Sequence, residues 1–286
     1  MGDTAIFVEV DYNAHRQQYA EPFLIEGNPG SNRYFEHQAQ EMHVLAVSQA
    51  VDRLTQAALL LVPSVALSPP AERLFRYGVM RRWRMISTSF RDFRSIVWPD
   101  RTIPLSRQQS DLCCRALNAI YIDLHGLLDN YAWTLVYLVG SEKSRASKPM
   151  AISLFSDAFR ADPALSTVAS QLASFEPWAL EFRNRRHPAA HRIPLHVPSS
   201  AMTEADVIEH RRIDDLASDA LARADFDLAA KYQEATWKIG AFEPLFLHDP
   251  TEAAMPIFPT LPEDIGQAVR IGRIAQEFMR AAGQAA

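Results

Sequence analysis

The chain has 286 residues, 48% of them apolar, and a formal net charge of −5. That length allows one or two domains with a sizeable core, and the negative balance excludes a general nucleic-acid coat protein, which needs a broadly basic surface. The two cysteines, Cys113 and Cys114, are too few for a disulfide scaffold and badly placed to bond each other on one helix, which points to a reducing, cytoplasmic setting.

The N-terminal residues MGDTAIFVEVDYN lack a basic region followed by an apolar one, so no signal peptide is expected there. Thr4–Val10 is dense in apolar and β-branched residues and reads as a short strand, and the segment through Arg33, with Gly27, Pro29 and Gly30, reads as loop. Apolar residues then recur at helical spacing over Tyr34–Leu61. Pro63 and the pair Pro69-Pro70 close that helix and open another. The longest apolar run, Tyr131–Gly140, is about half a membrane span, so a soluble protein away from the membrane is expected.

The second helix, about Ala71–Val97, carries Arg73, Arg76, Arg81, Arg82, Arg84, Arg91 and Arg94, with Tyr77 and Trp83 interleaved. Guanidinium groups between aromatic rings suit a strand of RNA, the arginines tracking phosphates and the rings stacking bases. Arg73, Arg76, Arg81, Arg84 and Arg91 are the RNA-binding candidates. A solvated face paired with acids elsewhere is the bland alternative, and the one favoured for a single charge run.

Pro104 opens a third helix to about Gly140, the longest in the chain, whose apolar stripe through Leu117, Ile120, Leu124, Leu128 and Leu135 predicts a central core helix. His125, Asp129 and Asn130 interrupt it. His125 and Asp129 share a face, and the reading favours satisfied core polar groups over a site. Ser141–Lys148 reads as a polar linker, Ile152–Phe159 as a short helix, and Pro163 as the start of another.

The densest stretch is Glu181–Ser200, EFRNRRHPAAHRIPLHVPSS, which gathers four arginines and two histidines within its first twelve residues. Pro188 is expected to kink or end the helix near His187, and a β-like run, Ile193–Val197, follows. His187 and His191 have zinc spacing, but no HExxH glutamate lies between them and the flanking arginines would repel a dication, so neither metal nor cofactor is expected. Arginine with histidine suits metal-free phosphodiester cleavage: guanidinium holds the phosphate, and imidazole moves the proton. Arg186 and His191, five residues apart, reach one phosphate if the chain turns at Pro188.

The run Arg186-His187-Pro188-Ala189-Ala190-His191 resembles the motif of the HEPN superfamily, an arginine followed by a polar residue and, after four to six intervening residues, a histidine. The following HRIPLHVP resembles the tail of that motif in bacterial HEPN-like proteins. The resemblance covers roughly Ser106–Val197 and implies a helical bundle, a homodimer with two motifs facing each other, and a composite RNA-cleaving site of toxin or defence type, with an antitoxin or other partner protein. It implies that Arg186 binds phosphate, His191 acts as acid or base and His187 orients one of them. Arg183, Asn184, Arg192, Asp129 and Asn130 would support. Other members have lost activity and only bind.

Beyond the motif, Met202–Gly240 is expected helical from a capping box at Thr203 and Asp206, in a region with fourteen acids against five Lys or Arg between Thr203 and Asp264. Phe242–His248 and Ala253–Thr260 read as a hairpin, and Pro262–Ala282 as a last amphipathic helix. The fold class expected is mainly α, a helical bundle with a small β accessory. Residues 1–33 form an N-terminal strand and loop, residues 34–200 the bundle with the Arg/His motif, and residues 201–286 an acidic helical region packed on the same domain.

Overall fold

A computed structural model describes residues 10–284 apart from Arg192, Pro250 and Glu252, and of residues 187–191 it describes the backbone only. The strand expected at Thr4–Val10 therefore lies, but for Val10, outside the described residues.

Mainly helical, the described chain carries a single two-stranded sheet. The segment expected as loop begins instead with helix α1, Tyr12–Tyr19, because the Asp11 side chain accepts from the Asn13 amide and caps it. Gly27 turns the chain with a φ of 78°, which glycine adopts freely. Asn28 then caps α2, Pro29–Leu61, with Pro29 in its first turn. Of the residues that suggested loop, Pro29 and Gly30 lie in the first turn of α2.

The basic helix is α3, Pro69–Leu74, a π segment, Phe75–Met80, and α4, Arg81–Arg94, in unbroken succession. A capping box, Ser106 with Gln109, starts α5, Arg107–Val139. The expected linker forms a short helix α6, Glu142–Arg145, whose Ser141 and Ser144 hydroxyls donate to Asp162. The helix expected from Ile152 is only α7, Asp157–Arg160, because Ser156 caps it at that point. Then follow α8, Ser166–Leu172, and α9, Glu176–His191.

Helices α10, Glu204–Ala222, and α11, Phe226–Thr236, form a hairpin that opens on the expected Thr203–Asp206 capping box. Strands β1, Leu245–Phe246, and β2, Met255–Pro256, make the antiparallel accessory, and His196 forms an isolated bridge to Leu247. The last helix is α12, Ile257–Gln284.

Helices α2, α3–α4, α5 and α12 share one core. Trp83 and Tyr131 lie at its centre, fully buried, with the indole N–H donating to the Tyr131 hydroxyl at 3.0 Å. A Cβ on Gly272 of α12 would stand 2.8 Å from Leu54 of α2, 2.9 Å from the Tyr131 hydroxyl of α5 and 3.3 Å from Trp83 of α4, so four helices meet at that glycine. The C-terminal helix thus completes the bundle. By length and composition the helical stretch Pro29–Ser64 is apolar enough to cross a membrane, and 44% of its apolar window is buried in the fold.

Candidate active site

Helix α9 carries the arginine-rich stretch and packs on α5. Phe182 and Arg185 point into the bundle: Phe182 is 1% exposed and stacks on Tyr121, while Arg185 reaches Asp264 of α12. Asp264 is almost completely buried and accepts four hydrogen bonds, from Arg185 Nε at 3.0 Å, Arg185 Nη2 at 2.6 Å, Trp178 Nε1 at 2.8 Å and the Tyr121 hydroxyl at 2.8 Å. Burial pushes the Asp264 carboxyl above the usual carboxylate range, against the pull of Arg185 and the other donors. One arginine of the cluster is therefore an internal strut between α9, α5 and α12.

With Arg185 turned inward, Arg183 and Asn184 are exposed and Arg186 is half-buried. The helix does not end near His187 as expected from Pro188: α9 continues to His191. A proline there removes one amide donor, that for the carbonyl of the exposed Asn184, and the bonds on either side hold the last turn. At about 100° per residue, positions 186 and 191 then stand about 140° apart around the helix, so Arg186 and His191 do not share a face as the sequence reading supposed. Positions 183, 187 and 191 fall instead on one row, at i, i+4 and i+8. The side chains of His187 and His191 and the whole of Arg192 lie outside what is described.

Beside that row is a cleft of about 330 Å³ between α9, α5 and the 153–156 loop. Arg183, Glu176 and Leu180 line it from α9, His125 and Asp129 from α5, and Ser153 and Ser156 from the loop. His125 and Asp129 are not core groups. Both are partly exposed, and Nδ1 of His125 lies 3.3 Å from Oδ2 of Asp129. With Nδ1 so held, Nε2 is the nitrogen that can take or give a proton. The sequence signal for this pair was its i, i+4 spacing; what it lacked was the direction that face takes. Asn130, one residue on, faces the other way and lines a different cleft with Gly78 and Arg82.

The basic helix divides in the same manner. Arg76 pairs with Glu72 at 2.7 Å, and Arg91 meets the Thr88 hydroxyl at 3.4 Å. Arg82 pairs with Asp123 of α5 at 2.7 Å, and the Arg94 guanidinium stacks 4.8 Å from the Trp98 ring. Arg73, Arg81 and Arg84 are exposed. Trp83, expected as a stacking platform, is a core residue, whereas Tyr77 is 62% exposed. The helical period separates them, because 83 falls on the stripe shared by Phe75, Val79, Ile86 and Phe90.

The two cysteines differ. Cys113 is buried, its thiol pushed up to about 12 by that burial, while Cys114 is partly exposed, its sulfur 3.6 Å from Nδ1 of His196. No family model, curated protein or solved structure matches this chain.

Proposed function

We propose that this chain is a HEPN-like, metal-independent endoribonuclease. The observation that carries the reading is the α5–α9 cleft, where a carboxylate-held imidazole, His125 with Asp129, and a guanidinium, Arg183, line one space beside the row of positions 187 and 191. In the proposed reaction Arg183, which lines the cleft, holds the phosphodiester and stabilises the charge that grows on its oxygens. One histidine takes the proton from the 2′-hydroxyl, which attacks phosphorus. Another protonates the departing 5′-oxygen, leaving a 2′,3′-cyclic phosphate and a 5′-hydroxyl. His125 is one member of that pair and His191 the other, with His187 orienting.

The active form is a homodimer in this reading. The exposed Leu180, 59% accessible, lies on the α9 row that a second copy would cover. A second reading, a module that binds RNA or a partner protein without cutting, is favoured by the outward arginines of α3 and α4.

The experiment is cleavage of a defined RNA oligonucleotide, with product ends identified by mass. His125→Gln and Arg183→Gln should each lower the rate on the order of 100-fold or more, the usual range for an acid–base or charge-stabilising group. Unchanged rates in both variants would remove the α5–α9 cleft from the reaction.

A further inference from the structure

A second concave surface, about 420 Å³, lies between the π segment and α5. Gly78 lines it, and a second glycine, Gly126, lies behind Arg82. A Cβ at Gly78 would stand 2.7 Å from the Asn130 amide group, and one at Gly126 would overlap the Arg82 guanidinium. Asn130 of α5 therefore lies against bare backbone of the π segment, and Arg82 of α4 lies against bare backbone of α5. Arg82 is fixed further by Asp123, its Nη1 2.7 Å from Oδ1.

Arg73, Tyr77 and Arg81 form the wall. The Arg81 guanidinium sits 5.5 Å from the centre of the Tyr77 ring. Among the described residues neither Arg73 nor Arg81 makes an ion pair with a carboxylate. Three guanidiniums thus face one carboxylate, Asp123, which Arg82 already matches, and two positive charges remain for a ligand. Clefts of this volume are in the range of small-molecule sites, and π segments recur at functional positions.

We propose that this cleft binds a nucleoside 5′-phosphate, free or as a unit of single-stranded RNA. Arg73 and Arg81 take the phosphate oxygens, the exposed Tyr77 face stacks on the base, and the Asn130 amide, donor and acceptor at once, meets the base edge. The site stands apart from the α5–α9 cleft, and its test does not depend on cleavage.

The test is calorimetric titration of the full chain with adenosine 5′-monophosphate, a short oligoadenylate and inorganic phosphate. Gly78→Ala changes no charge, yet its methyl group displaces Asn130. Asn130→Ala removes the amide without disturbing the helix. Both should weaken nucleotide binding about 10-fold or more, while Arg211→Gln on α10 stays within about twofold, and inorganic phosphate should bind more than about 10-fold more weakly than the nucleotide. Binding of the monophosphate identifies a free nucleotide as sufficient; binding of the oligonucleotide alone identifies the RNA unit. A melting curve checks each variant, and if Gly78→Ala does not fold, Asn130→Ala decides. Absence of binding by the wild type overturns the proposal. Phosphate binding as tightly as the nucleotide, or unchanged binding by a folded Asn130→Ala, does so as well.

Discussion

Arg185 and Asp264, 79 residues apart in sequence, meet in a two-pronged ion pair inside the bundle, with the guanidinium nitrogens at 3.0 and 2.6 Å from the two carboxylate oxygens. Of the arginines in the dense stretch, this one is 13% exposed in its side chain and serves the fold. Its neighbour Arg183, two residues earlier and about 200° around the helix, is left to face the cleft.

Removing one partner of a buried pair leaves an uncompensated charge, which costs about 3–5 kcal/mol. Arg185→Ala is expected to lower the unfolding free energy by that amount in urea titrations, and Arg183→Ala by less than about 1 kcal/mol, as for an exposed side chain. Equal effects would mean that the ion pair contributes nothing beyond surface charge.

Acid should weaken the contact between the N-terminal segment and α12. His43 is fully buried, with Nε2 2.9 Å from the Val10 carbonyl and 3.5 Å from Glu263, and His15, Asp11, Arg270 and Tyr12 around it. Burial lowers its pKa from 6.5 to about 4. A histidine depressed in the folded state stabilises the fold above its unfolded pKa and withdraws that stability as pH falls from 6.5 through 4, roughly 3 kcal/mol in all. Burial raises the Glu263 carboxyl, so its contribution runs the opposite way and grows as pH falls. Comparing wild type with His43→Gln at pH 7.5 and 5 isolates the histidine: the wild type should lose more stability between the two. Parallel losses would remove His43 from the pH response.

The two thiols should separate in a reagent titration. Native protein should release one equivalent of dye from an aromatic disulfide reagent, from Cys114, and a second from Cys113 only in denaturant, since Cys113 is buried and its thiol is pushed up to about 12. Two fast equivalents from the native chain would contradict the burial of Cys113.

Glycine substitutions should divide by crowding. Gly272→Ala forces a methyl group against Leu54 and the Tyr131 hydroxyl and should lower stability by about 1–3 kcal/mol. Gly30, in the first turn of α2, has nothing within 4 Å of its added carbon, and Gly30→Ala should stabilise by about 0.4–1 kcal/mol. Thermal melts of the two variants provide the comparison.

The bundle was legible because its signals are local. Pro104 and the pair Thr203 with Asp206 announce helix starts, and the spacing of Leu117, Ile120, Leu124 and Leu128 announces a buried stripe. Helix α1 was hidden because its cap, Asp11, is a residue type equally at home in loops, and the helix is only 8 residues long. For the candidate site, the sequence shows the dense arginine stretch but not which way each side chain faces. Which of Arg183, Arg185 and Arg186 faces inward depends on the rotation of α9, and that is fixed by Asp264, Trp178 and Phe182. Pro188 misled for a related reason: near a helix end the loss of one amide is tolerated, and sequence does not say how near the end is.

The reaction proposed for the arginine–histidine stretch is metal-free cleavage of RNA. Its most direct test is incubation of mixed cellular RNA with the wild type and with His191→Ala, at matched purity, in excess EDTA. Cleavage by the wild type alone is the predicted result. Cleavage that persists in His191→Ala, or that appears only when a divalent metal is restored, would contradict it.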